Sequence, residues 1–353
     1  LKAALTLALC LGFVGVVPAG CDSDTQPGRG VVTEDAAPSN DVSPAIDADR
    51  TNDAERAADV AVTPDAALPT DAAPAPDAVA SLPDTVGGDR PAVVVRPRAF
   101  EQQGKLYPLV LLLHGYGVNG NIQDAYLGVS ELVDDLDFVL VRPDGTMGPN
   151  GKRFWLGTPA CCDFGNQAPD DVNYLRGLVE EVSATHPIDP ARVFVFGHSN
   201  GGFMSYRLAC EAAETFAAIA SLAGGTFATE DECQGPIAPV SVLQIHGALD
   251  ETIAYDGEIR ERAPSASYPP AAEAVARHAA RSGCLPGMTA EGERFDLDTS
   301  VPGVDTTPLE HTGCPVGVGA ALWTIVGGRH APALRLEGTR RILQWLLDHP
   351  RVP

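Results

Sequence analysis

The hexapeptide Gly197-His198-Ser199-Asn200-Gly201-Gly202 constrains this chain more than any other stretch. The residues before it, Arg192 to Phe196, are β-branched and aromatic, as a buried strand requires. The residues after it, Phe203 to Cys210, contain no breaker and place Phe203, Met204, Arg207 and Leu208 at helical spacings. A serine between the two elements stands on a sharp, strained turn. Glycines two positions before and after it remove Cβ atoms that would collide. Alone, Gly-x-Ser-x-Gly also fits an ordinary glycine-rich turn. Flanked by strand and helix, it reads as a nucleophile.

A strand feeding a helix implies parallel α/β layering, and the rest of the chain repeats the pattern. Apolar runs occur at 92–95, 107–113, 138–141, 193–196, 217–221, 240–245 and 321–326. They lack in/out alternation, which suits strands buried on both faces. Amphipathic stretches at 171–186, 202–213, 271–282 and 333–347 supply helices. The expected fold class is α/β, a mostly parallel sheet with helices on both faces, in one domain over 89–353.

The 353 residues carry a net charge of −23, which argues against nucleic-acid binding. Much of that charge lies outside the expected core. From Asp22 to Arg90 there are 15 Asp/Glu against 4 Arg, a net −11. Residues 21–88 hold Asp-Ala and Pro-Asp repeats without one aromatic residue, so they read as a disordered acidic tether. Ahead of it, Lys2 and the apolar run Ala3–Val17 suit a signal segment over 1–20. Small residues then lead to Cys21, as in a bacterial lipobox, although Pro18 replaces the usual Leu. Cys21 is the expected lipidation site. This places the protein outside the cytoplasm, as a membrane-anchored lipoprotein or as an extracellular protein. A lipid at Cys21 would be its only membrane contact.

Export makes disulfides the natural fate of the six cysteines beyond Cys21. The preferred pairs are Cys284–Cys314 and Cys210–Cys233, each closing a loop of moderate length. Cys161 and Cys162 are left as a vicinal pair or as partners for others. Spacing alone does not fix connectivity.

A serine nucleophile needs a base, and the base needs an orienting carboxylate. On a parallel sheet these follow in the order Ser, acid, His, each past a strand's C-terminal end. Asp250 follows the 240–245 run, with Glu251 as its neighbouring alternative. Of four later histidines, His278 lies within a helical stretch, His311 has no strand before it, and His349 is near the C-terminus. His330, after the 321–326 run and Gly327-Gly328-Arg329, alone has the expected setting. His114-Gly115-Tyr116-Gly117 follows an early strand, where the backbone N–H of Tyr116 or Gly117 would join that of Asn200 around an oxyanion. Trp155 would line a substrate pocket or pack in the core.

Together these motifs resemble the secreted polyhydroxybutyrate depolymerase and feruloyl esterase family. The resemblance spans residues 89–348 and also includes Arg153-Phe154-Trp155, Cys161-Cys162 and Asp170-Asp171-Val172. Arg329 and Ala331 stand where that family usually has glycine and an aromatic residue. The resemblance implies an α/β-hydrolase fold and carboxylic ester hydrolysis, with Ser199 as nucleophile, Asp250 as acid and His330 as base. No metal or organic cofactor is required. The expected partner is an ester substrate, polymeric ones such as polyesters or plant polysaccharide esters included. The rival readings are a serine peptidase on the same fold and an inactive surface-tethered binding protein.

Overall fold

A computed structural model of the chain describes residues 82–287 and 289–351. The signal segment, Cys21 and the tether up to residue 81 lie outside the described residues. The elements, in chain order, are β1 (Thr85–Val86), β2 (Ala92–Val95), β3 (Tyr107–Leu113), α1 (Gly120–Leu127), α2 (Val133–Leu136), β4 (Val139–Arg142), β5 (Thr146–Met147) and β6 (Arg153–Phe154). Next come α3 (Asp171–Thr185), β7 (Ile188–His198), α4 (Asn200–Glu211), β8 (Ala218–Leu222), β9 (Ser241–Gly247) and α5 (Ala271–Arg281). The last are β10 (Thr289–Glu291), β11 (Thr306–His311), β12 (Ala320–Ile325) and α6 (Leu336–Leu347).

Among the described residues, ten strands form one sheet in the order β1-β2-β4-β3-β7-β8-β9-β12-β11-β10. The central run from β4 to β12 is parallel throughout, and antiparallel strands flank it on both sides. Alternate side chains of β3 explain the layering. Leu109, Leu111 and Leu113 enter one core with Leu175 and Leu178 of α3 and Met204 and Leu208 of α4. Val110 and Leu112 enter the other, with Leu127 of α1 and Ile342, Leu343 and Leu346 of α6. Every residue of β3 is fully buried, so an unbroken apolar run is what this position demands. The α/β-hydrolase architecture expected from the sequence is the one observed.

Two expectations need correction. The folded region starts before Asp89, because β1 pairs with β2 through Thr85 with Val93 and Val86 with Ala92, and Val86 is buried. A two-residue strand has no periodicity to read. His311 does have a strand before it, since it closes β11. That strand runs antiparallel to β12, so its C-terminal end points away from the edge where the parallel strands finish.

Cysteines pair as preferred, Cys210 with Cys233 and Cys284 with Cys314, and Cys161 pairs with Cys162. The Cys284–Cys314 bridge, 30 residues apart in sequence, ties the end of α5 to the loop before β12. Closing a loop of that length removes chain entropy from the unfolded state, worth about 3–4 kcal/mol. A Cys284→Ser/Cys314→Ser double variant should therefore show a lower thermal unfolding midpoint. An unchanged midpoint would mean that this bridge contributes nothing to stability.

Candidate active site

Because β3, β7, β9 and β12 are parallel, their C-terminal ends open onto one edge of the sheet. The loops at that edge carry His114 to Val118, Ser199, Asp250 and His330. Residues separated by more than a hundred positions thereby converge.

Ser199 joins β7 to α4 with φ 56° and ψ −117°, a left-handed conformation that side chains other than glycine seldom adopt. Its N–H donates to Leu222 O at 2.8 Å, which pins the turn to the end of β8. The flanking glycines are sterically required. A Cβ on Gly197 would strike the Gly201 carbonyl and Ser205 Oγ, and one on Gly201 would strike the Leu113 carbonyl. The strain read from the hexapeptide is thus present in the backbone.

His330 bridges the other two groups. Its Nε2 lies 2.9 Å from Ser199 Oγ and its Nδ1 lies 2.8 Å from Asp250 Oδ2. Nδ1–H donates to the carboxylate, leaving Nε2 to accept the seryl proton. Ser199 is buried, at 8% exposed, while the His330 side chain is 22% exposed. The Asp250 carboxylate is buried. It accepts backbone N–H groups of Thr252 at 2.8 Å and Ile253 at 2.9 Å, and lies 3.3 Å from His246 Nε2. Burial alone would raise its pKa, but the bonds from His246, His330 and Ile253 outweigh it and hold the carboxyl well below the usual range. Glu251, the neighbouring alternative, is exposed and faces Arg329 at 3.5 Å.

The loop after β3 lies against the serine, an ideal Cβ on Gly115 falling 3.5 Å from Ser199 Cβ. Gly117 N–H donates to Arg153 O at 2.8 Å. Among the described residues, the N–H groups of Tyr116 and Asn200 have no protein acceptor. Of the two alternatives in the His-Gly-Tyr-Gly motif, Tyr116 is therefore the one with a free donor. Trp155 departs from the pocket-lining expectation, because it is fully buried in the core. Its indole N–H donates to His114 O at 3.1 Å, so it braces the loop from behind. The neighbouring motif residues are also scaffold. Arg153 donates to Gly145 O, Asp170 caps α3, and Asp171 accepts from Arg90 and from Leu156 N–H.

Several supporting residues were not singled out from the sequence. His198 Nε2–H donates to His330 O at 3.1 Å and fixes the loop bearing His330. Gln244 donates to His246 Nδ1 at 2.9 Å, which leaves His246 Nε2–H for Ile253 O at 2.8 Å and for the Asp250 side. Gln123 Oε1 accepts Gly115 N–H at 3.0 Å. His198 stood in plain view beside the serine, but its partner lies 132 residues away, and no local pattern encodes that contact.

Burial lowers the pKa of His114 and His198 to about 4 and that of His278 to about 3. An unfolded imidazole titrates at 6.5. Between these values the unfolded chain binds more protons than the folded one, so stability is lost as pH falls from 6.5 towards 4. Each such group contributes at most about 1.4 kcal/mol per pH unit. The thermal midpoint should fall on acidification from about pH 7 to about pH 5, and His278→Leu should flatten that slope. A midpoint that stays level across this range would contradict the assignment of neutral, buried histidines.

Residues 94–263 match the Phospholipase/Carboxylesterase family. NocK of Nocardia uniformis subsp. tsuyamanensis, a protein named as an esterase, is 28% identical over 228 residues, 63% of this chain and 64% of its own length. Feruloyl esterase C of Emericella nidulans is 30% identical over 169 residues, 45% of this chain and 56% of its own. Each match spans less than two thirds of the relative's length. Among solved structures, acetyl xylan esterase from Aspergillus awamori superposes with a TM-score of 0.52 at 14% identity, covering 76% of this chain and 99% of that one. At that identity the likeness speaks for the fold. Sheet order and elbow agree with an α/β-hydrolase fold, and residues 94–263 carry the likeness to the Phospholipase/Carboxylesterase family.

Proposed function

We propose that this protein is a serine carboxylic-ester hydrolase working through an acyl-enzyme. The observation that carries the reading is His330 set between Ser199 Oγ at 2.9 Å and Asp250 Oδ2 at 2.8 Å. In the first step Ser199 Oγ attacks the ester carbonyl carbon while His330 Nε2 takes its proton. The imidazolium, stabilised by Asp250, then returns that proton to the departing alkoxide. In the second step His330 Nε2 takes a proton from water, whose oxygen attacks the acyl carbon, and the imidazolium then returns that proton to the departing Ser199 Oγ as the acid is released. The free N–H groups of Tyr116 and Asn200 supply the oxyanion donors, at the positive N-terminal end of α4.

Feruloyl and acetylated polysaccharide esters are the substrates we favour, supported by the names of the relatives and the structural neighbour. Hydroxybutyrate polyesters belong to the same proposal through the motif resemblance. A ring-bearing ester finds support in the Tyr116 side chain, which meets the 74% exposed Phe164 edge to face at 5.3 Å. We also place the protein outside the cytoplasm, anchored through Cys21 and held off the membrane by the acidic tether. Paired cysteines fit the oxidising compartment this requires.

Ser199→Ala should keep the thermal midpoint of the parent and lose at least about 10⁴-fold in kcat on p-nitrophenyl butyrate. Substantial activity in that variant would remove Ser199 from the mechanism. Comparing methyl ferulate, acetylated xylan and hydroxybutyrate oligomers then separates the substrate classes, and a peptide panel tests the peptidase alternative.

A further inference from the structure

Asn200 occupies an unusual position among the residues at the elbow. Its backbone N–H follows the nucleophile and is free, while its side chain is fully buried and points at another segment. Asn200 Oδ1 accepts Trp155 N–H at 2.7 Å, and Asn200 Nδ2 donates to Trp155 O at 2.9 Å. One amide side chain thus pairs with both main-chain groups of a single residue, as a neighbouring strand would. Trp155 passes the connection on, its indole N–H donating to His114 O at 3.1 Å. His114 is held in turn, since Nδ1–H donates to Gly115 O at 2.7 Å and Nε2 accepts Gly145 N–H at 2.8 Å. Gln123 fixes Gly115 N–H from the other side at 3.0 Å. The chain of bonds ends one residue before Tyr116, whose N–H is the other free donor.

We infer that the Asn200 side chain is a positioning residue that sets the separation of the two oxyanion donors, working through Trp155 and the His114–Tyr116 loop. The inference rests on the esterase reading above. It is favoured by economy of contact. Asn200, Trp155 and His114 are each fully buried, and every bond named joins groups that solvent does not reach. Removing the amide would leave Trp155 N–H and O buried without partners, and the His114 loop could relax away from α4. Donor placement matters most when the carbonyl oxygen carries charge, so the loss should fall on the transition state and spare ground-state binding.

The test uses the full chain and variants that retain the residue 200 backbone N–H. Asn200→Ala should lower kcat on p-nitrophenyl butyrate by about 30-fold, with KM within about threefold of the parent. Affinity for a trifluoromethyl ketone, which forms a tetrahedral adduct on the serine, should fall by the same factor as kcat/KM. Affinity for butan-1-ol, which has the same alkyl chain but no carbonyl or carboxylate oxygen to meet the donors, should not move. Trp155→Phe keeps the main-chain pairing and removes only the indole N–H, so it should give a smaller fall, about threefold to tenfold, with the same split. A parental kcat in Asn200→Ala overturns the inference, as does a reduced kcat with undiminished ketone affinity. If Asn200→Ala does not fold, Trp155→Phe decides, and a parental kcat there overturns the inference. A folded parent chain that hydrolyses no ester defeats the esterase reading itself.

Discussion

The sheet edge that carries Ser199 depends on how closely α4 approaches β3. A Cβ on Gly201 would collide with the Leu113 carbonyl, and one on Gly197 would collide with Gly201. With hydrogen at both positions, β7 can turn into α4 through a single left-handed serine. The same contact brings the His114–Val118 loop beside that serine, because the loop begins where β3 ends. Ser199 and the His114–Val118 loop therefore come from two adjacent parallel strands whose spacing is set by backbone against backbone. The turn is strained, and the sheet cores on both faces hold it in place.

Electrostatic order is built around Asp250. A buried carboxylate without partners would take up a proton, but four donors converge on this one. It therefore stays charged and keeps His330 in the tautomer that presents a bare Nε2 to Ser199. The surrounding histidines do the opposite work. His114 and His198 are buried and neutral, each holding a loop through directed bonds. Of these three groups, only Asp250 carries charge. The price is acid sensitivity, since those buried imidazoles protonate more readily once the chain unfolds.

Much of this was legible in the sequence because the information was local. Strand runs such as 107–113 announced double burial by lacking alternation, and Ser199, Asp250 and His330 were reachable because each follows its own strand. Contacts between distant segments were not legible. Trp155 could line a pocket or pack in the core because aromatic rings serve both roles, and only the fold put it behind the His114–Val118 loop with no exposed surface. Edge strands failed for another reason. β1 and β10 are two and three residues long, and β11 alternates with a proline inside it, so none carries the buried-strand pattern. The choice between Tyr116 and Gly117 turned on a bond to Arg153 from a segment 36 residues downstream.

The central claim is that Ser199 is a nucleophile activated by His330. Labelling the full chain with a fluorophosphonate, followed by peptide mass mapping, tests it most directly. The account predicts one phosphonyl adduct per chain, on the peptide containing Ser199, and its loss in His330→Ala. A folded protein that takes no label, or takes it on a different serine, would contradict it.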